Sequence, residues 1–321
     1  MKSVTHPLFT DITGNKIGIT TYEIGKGEPI LYLQGGIHGG EVTFFIFHEI
    51  AKYLISIENQ LNFKILLVPM VNPMAWNQQF YHYTAGKFNS IDGIDFNRNF
   101  SDHNYTNDVR YNMSLESKMA NIIIEMATPY KILLDLHTAR QSKPYLYVEH
   151  KSYKNFAEFL NFKMNIVDPL QETQRAATDF STYFTQKYQN SKYAFTVECG
   201  SHDELNIENI NEVKTRIILL INELNNNKFE FLKTKHQNNS IFLEPVKWIH
   251  AHDSCFVKFE KQSGDSVNKG DKLATIYDIN HLGTSEKIYS DGSYMVIENT
   301  KSTIYRAGSK MIWLGIKLSD W

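Results

Sequence analysis

A histidine and a glutamate three residues apart, His38 and Glu41, sit where the apolar run Leu31-Tyr32-Leu33-Gln34 breaks into the glycine turn Gly35-Gly36-Ile37-His38-Gly39-Gly40-Glu41. An imidazole nitrogen and a carboxylate oxygen are both good zinc donors, and a catalytic zinc takes three protein ligands with a fourth position left for water or substrate. The pair offers two of those three. An isolated H-x-x-E is common by chance, so its meaning depends on what other strand ends bring to it.

Leu133-Leu134-Asp135-Leu136-His137-Thr138 supplies a third candidate, with His137 just past an apolar strand and Asp135 two residues before it. Tyr193-Ala194-Phe195-Thr196-Val197-Glu198-Cys199-Gly200 supplies a fourth group, a strand ending in a carboxylate and a glycine. A glutamate beside a metal site can take a proton from attacking water and return it to the leaving nitrogen of an amide. Glu198 is the candidate general base. Between these lies Ile91-Asp92-Gly93-Ile94-Asp95-Phe96-Asn97-Arg98-Asn99-Phe100, whose Asn97–Arg98 pair has the donors to clamp an anionic substrate group, an arginine fork matching a carboxylate with two parallel bonds. Taken singly, His137 reads as a structural histidine, Glu198 as a capping or ion-paired residue and Arg98 as a surface ion pair of little weight. Their joint occurrence, at strand ends and glycine turns, favours the site.

The elements that must position these groups follow from periodicity. Short apolar strands over 30–34, 63–68, 131–135, 145–148 and 193–197 alternate with amphipathic helices over 41–56, 114–127, 152–162, 178–189 and 207–225, the pattern of an α/β sheet covered by helices. Phe44, Phe45 and Phe47 read as core packing on the first of these helices. Past about residue 240 the texture changes to short strands punctuated by Gly264-Asp265, Gly270-Asp271, Asp291-Gly292 and Gly308-Ser309, which reads as a small all-β module. The chain is therefore divided into residues 1–238, carrying the chemistry, and residues 239–321.

A chain of 321 residues can bury a full core, and its net charge of −2 without a basic stripe argues against nucleic acid or an anionic membrane as partner. Two cysteines, Cys199 and Cys255, cannot build a disulfide framework, and no run nears the roughly 18 apolar residues of a spanning helix. The expectation is a cytoplasmic enzyme with no membrane or nucleic-acid partner, and a homo-oligomer is compatible with everything above.

Gly-Gly-Ile-His38-Gly-Gly-Glu41, Asp95-Phe-Asn97-Arg98, Asp135-Leu-His137-Thr and Glu198-Cys-Gly, in that order, resemble the succinylglutamate desuccinylase/aspartoacylase family, which groups with the zinc carboxypeptidases. The resemblance spans nearly the whole chain. It implies the zinc-carboxypeptidase-like three-layer α/β fold with a mixed central sheet, and a C-terminal module resembling a biotinyl/lipoyl-type barrel-sandwich. It also implies one Zn2+ on His38, Glu41 and His137, Glu198 as catalytic carboxylate, and Asn97 with Arg98 on the substrate carboxylate. The implied activity is removal of an acyl group from a small anionic N-acyl amino acid or related amide. Two departures bear on specificity. Lys87 stands where many relatives place an arginine, and the Pro-Gly that often follows the Asn-Arg motif is missing after Phe100. Lysine is a point charge without a fork, which makes Arg140 and Arg175 further candidate cations. The nearest rival is a zinc carboxypeptidase acting on a short or cell-wall peptide, and a rival of another class is a binding protein that has lost turnover.

Overall fold

The computed structural model describes residues 1–80, 83–102, 114–167, 177–188, 191–202, 205–234, 236, 239–299, 304–319 and 321. The first half runs β1 (Lys2–Thr10), β2 (Lys16–Ile24), β3 (Pro29–Gly35), α1 (Phe44–Ser56), β4 (Lys64–Val68), α2 (Pro73–Trp76), the short hairpin β5 (Gln79–Phe80) and β6 (Tyr83–Thr84), α3 (Leu115–Ala127) and β7 (Ile132–Ala139). It continues with β8 (Tyr145–Val148), α4 (Lys154–Leu160), β9 (Met164–Val167), α5 (Phe180–Tyr188), β10 (Tyr193–Ser201) and α6 (Ile207–Asn227). The last part is all β: β11 (Ile241–His250), β12 (Cys255–Phe259), β13 (Ser266–Val267), β14 (Lys272–Tyr277), β15 (Glu286–Tyr289), β16 (Tyr294–Asn299), β17 (Ile304–Tyr305) and β18 (Lys310–Lys317).

Among the described residues one mixed sheet runs β1-β2-β4-β3-β7-β10-β8-β9-β11-β18-β16-β13, and a separate antiparallel sheet runs β15-β14-β12-β17. The central strands β4, β3, β7 and β10 are parallel and buried on both faces, which is why they read as unbroken apolar runs. Side chains alternate across a strand, so Ile132, Leu134 and Leu136 enter one core beside α1, α4 and α6, while Leu133 enters the other beside α3 and α5. The same alternation puts Asp135 and His137 on the α3/α5 face. That is the three-layer arrangement.

The expected strands and helices of the α/β part appear with informative shifts, and β1, β2, α2, the β5–β6 hairpin and β9 are present where the periodicity suggested none. β7 continues to Ala139, so His137 lies inside the strand, because β10 keeps pairing alongside it through the register Glu198↔His137 and Ser201↔Ala139. α1 begins at Phe44, three residues later than its periodicity suggests, since the turn at Glu41–Thr43 is closed by Thr43 N–H donating to Glu41 O at 2.8 Å. Glu41 is thereby left on the loop. The helix buries Ile46, Phe47, Ile50 and Leu54, whereas Phe44 and Phe45 are about half exposed, against the expectation that all three phenylalanines pack. Both cysteines are buried and free.

Strand β11 carries the chain from the α/β part into the β part, pairing in parallel with β9 and antiparallel with β18. The large sheet thus runs on beyond residue 238. The two sheets of the β part enclose their own apolar core, including Val257, Leu273, Val296, Ile312 and Leu314.

Candidate metal and catalytic centre

The loop after β3 is shaped by backbone geometry. Gly36 has φ +69, and its carbonyl accepts from Trp76 Nε1 at 3.2 Å, while Asn72 Nδ2 donates to Ile37 O at 2.8 Å. Gly86 then passes close behind the loop, with Gly39 N–H donating to Gly86 O at 3.0 Å. A Cβ at Gly86 would lie 2.4 Å from the Gly39 backbone, a clash that no side-chain rotation relieves. Gly86→Ala is therefore expected to cost about 1–3 kcal/mol by overpacking and to displace His38. A denaturant melt and zinc titration unchanged from wild type would contradict this placement.

On this loop and on β7 the three expected metal ligands come together. One ligand atom each from His38, Glu41 and His137 lies within 4.8 Å of the others, and all three residues are buried. Glu41 Oε1 is 2.9 Å from His38 Nδ1 and 3.3 Å from His137 Nδ1. Both imidazoles are held from behind. His38 Nε2 is 3.1 Å from Asp95 Oδ1, and His137 Nε2 is 2.8 Å from Asp135 Oδ2. Asp135 is itself buried and accepts from Gln34 Nε2 at 3.0 Å, and Gln34 accepts from Tyr32 OH at 2.8 Å. A histidine tied through Nε2 to a carboxylate keeps Nδ1 for a metal, the arrangement typical of zinc sites.

The electrostatics match this reading. Burial alone would raise the Glu41 carboxyl, but the facing His137 and His38 hold it well below the usual carboxylate range. Burial would lower the His137 imidazole, yet Asp135 and Glu41 outweigh it and push it well above the ordinary value. Desolvation also opposes ionisation of Asp95, and its bond to His38 together with Lys87 brings it well down. Glu198 is the exception. Burial pushes it up to about 8, with the negative charges of Glu41 and Glu298 adding to the shift and His137 and Lys87 opposing it. It stands beside His137 in the parallel register and beside Tyr145 in the antiparallel one. Glu41 Oε2 and Glu198 Oε2 are both buried without a hydrogen-bond partner. Buried orphan carboxylate oxygens are costly unless something outside the chain satisfies them.

The candidate substrate-binding residues are less uniform. Asn97 is buried, with Nδ2 3.2 Å from His137 Nε2 and Oδ1 accepting Phe180 N–H at 3.1 Å, so its side chain braces a ligand and the start of α5. Arg98 is exposed and donates from Nη1 to Asn97 O at 2.6 Å. Lys87 pairs with Asp95 Oδ2 at 3.4 Å. Arg140 donates from Nη1 to Lys310 O at 2.9 Å, on the β part. Arg175 lies outside the described residues, as does most of the polar loop 102–108.

Three contributors have no stated role in the sequence reading. Asp95, behind His38, was within the quoted motif and could have been found by asking what orients the first histidine. Gln34, behind Asp135, was the lone polar residue of an apolar strand. Glu298, from β16, carried no signal at all, because nothing in the sequence tells that the β part bends back to this site. Its buried carboxyl is pushed up to about 7 by burial, against the Arg140 guanidinium and backbone N–H.

The family model for the succinylglutamate desuccinylase/aspartoacylase catalytic domain matches residues 28–223, which include all of these groups except Glu298. The chain belongs to that family. The fold agrees across nearly its whole length with solved structures of low sequence identity. A succinylglutamate desuccinylase/aspartoacylase family protein of Shewanella amazonensis superposes with TM-score 0.81 at 17% identity, covering 99% of this chain and 100% of that one. The succinylglutamate desuccinylase/aspartoacylase of Rhodobacter sphaeroides gives 0.72 at 14%, covering 98% and 94%. The ectoine utilization protein EutE (DoeB) of Ruegeria pomeroyi, solved with product bound, gives 0.73 at 16%, covering 97% and 93%. At such identities the likeness establishes the fold. No curated protein matches the sequence. Membership of this family makes the protein a hydrolase-like deacylase, and no helix among the described residues is long and apolar enough to cross a membrane.

Proposed function

We propose that this family member is a zinc-dependent amide hydrolase that removes the acyl group from a small, anionic N-acyl amino acid or related amide. The observation that carries the reading is the convergence of His38 Nδ1, Glu41 Oε1 and His137 Nδ1 near Glu198, whose Oε2 is buried without a partner. The donor set of two imidazoles and a carboxylate suits zinc, and the two carboxylates behind the histidines and the orphan Glu41 Oε2 fit a bound dication. When bound, zinc supplies a Lewis acid that acidifies water and polarises the acyl carbonyl.

The remaining work falls to this chain's side chains. Glu198, ionised, accepts the proton of the attacking water and delivers it to the departing nitrogen; burial raises its proton affinity, and the positive charge of a bound dication would oppose that rise and favour the carboxylate. Asp95 and Asp135 fix the ring orientations of His38 and His137, and Asn97 braces His137 from the α5 side. Arg98, Lys87 and Arg140 supply the positive charge that receives the substrate's carboxylate, Arg98 with the fork that suits it best.

Purified protein is expected to bind one zinc per chain and to release free amine from members of a panel of N-acetyl, N-succinyl and N-formyl amino acids. Chelation should lower the rate at least about a hundredfold, with recovery on zinc addition, since metal activation supplies several kcal/mol of transition-state stabilisation. Rapid trimming of long peptides with an inert panel would sink the deacylase reading in favour of a carboxypeptidase. A preference for neutral over anionic substrates would remove the clamp role of Arg98.

A further inference from the structure

The strand that carries His137 loses one neighbour, β3, just before that residue, and the other, β10, follows it irregularly only as far as Ala139. β3 pairs with β7 only as far as Gly35↔Leu136, and β10 departs from regular register between Glu198 and Ser201, where Gly200 has φ +118. Backbone groups past this point must find partners elsewhere. The β part provides them in succession. Gln141 N–H donates to Asn299 O at 3.1 Å and Asn299 N–H donates back to Gln141 O at 3.3 Å. Lys143 N–H donates to Ser263 Oγ at 3.1 Å, and that hydroxyl donates onward to Ile297 O at 2.7 Å. Arg140 is held at its guanidinium by Lys310 O, while the buried Glu298 carboxyl faces its backbone N–H. Three of the four residues 140–143 are thus tied to the β part, beginning three residues after a metal ligand.

We propose that the C-terminal β part is a positioning element for His137, and that Ser263 and Glu298 are its positioning residues. They act through the backbone at Arg140–Lys143 and touch neither metal nor substrate. The latch closes the open end of β7, so that the ring of His137, set from one side by Asp135, is also fixed along the strand axis. A fold that left residues 140–143 to solvent would let the strand end fray, because terminal backbone without partners opens at little cost. A ligand on a fraying strand holds its metal less well. This inference rests on His38, Glu41 and His137 being the zinc ligands.

The test uses the full chain and two readouts that do not depend on turnover: zinc affinity by chelator competition, and amide hydrogen exchange at Arg140 and Lys143. Glu298→Ala is expected to weaken zinc binding by roughly tenfold, the lower end for residues that support ligands, and to speed exchange at Arg140, whose N–H its carboxyl faces. Glu298→Gln, which keeps an acceptor oxygen, should restore both. Ser263→Ala should speed exchange at Lys143 with a smaller loss of zinc affinity, and it keeps the proposal testable if Glu298→Ala does not fold. Wild-type zinc affinity and exchange in the folded variants would overturn the positioning role while leaving the metal site standing. A wild type that binds no zinc overturns the metal reading and this role with it.

Discussion

A Glu198→Gln variant is expected to retain one zinc per chain and to lose roughly 10²–10⁴ in kcat, the range for removing a positioned general base. Glutamine preserves the shape of the side chain but has no carboxylate to take a proton. KM should change little, because Glu198 is assigned to the reacting water and not to the carboxylate clamp. The same variant makes a stability prediction of opposite sign. Burial raises the folded-state carboxyl to about 8, above its unfolded value near 4.5. Between those values the folded protein holds a proton that the unfolded chain has released, so stability falls as pH rises through that window. Glutamine never ionises. Metal-free Glu198→Gln should therefore melt higher than metal-free wild type at pH 9, with the gap closing toward pH 5. Full hydrolytic activity in Glu198→Gln would remove the base assignment, and a melting gap independent of pH would show that the carboxyl is not desolvated as described.

The sequence was legible where one local rule dominates. Buried parallel strands read as apolar runs, and glycine turns at their ends made His38, Glu41 and Glu198 candidates that only their joint occurrence with His137 turned into a site. Periodicity located every major helix to within a few residues, since each has an apolar stripe. What it misplaced depended on neighbours distant in sequence. His137 lies inside β7 because β10 extends beside it, and Phe44 and Phe45 stay exposed because the sheet covers the stripe from Ile46 onward. The contacts of the Asn97 amide with His137 and with the start of α5, separated by 40 and 83 residues, were likewise invisible in the motif that grouped it with Arg98. Glu298 lies 161 residues after His137. Long-range placement of this kind is written in the fold and not in any spacing.

Replacing His137 should act on stability in the reverse direction to replacing Glu198. His137 is buried with Asp135 on Nε2 and Glu41 on Nδ1, and those two carboxylates raise its proton affinity well above the ordinary imidazole value despite burial. In the metal-free protein the imidazolium is the cation that offsets them. His137→Ala removes it and leaves Asp135 with only Gln34, and Glu41 with only His38. Breaking such a buried pair costs about 3–5 kcal/mol. Because the folded pKa is raised, this stabilisation is fully present below the unfolded histidine value near 6.5 and fades as pH climbs through the folded one. The deficit of His137→Ala relative to wild type is therefore largest at pH 6 and shrinks toward alkaline pH, whereas the gain of Glu198→Gln grows there. Zinc should be lost as well, since His38 and Glu41 alone make two ligands of three. Urea melts of the metal-free proteins at pH 6 and pH 9, with zinc content measured after reconstitution, check both parts. Stoichiometric zinc in His137→Ala would remove this residue from the ligand set. A melt at pH 6 equal to wild type would show that the imidazole does not offset the buried carboxylates. The opposite pH trends of the two variants separate an imidazole that holds a proton in the metal-free protein until metal displaces it from a carboxyl that burial keeps uncharged until metal is bound.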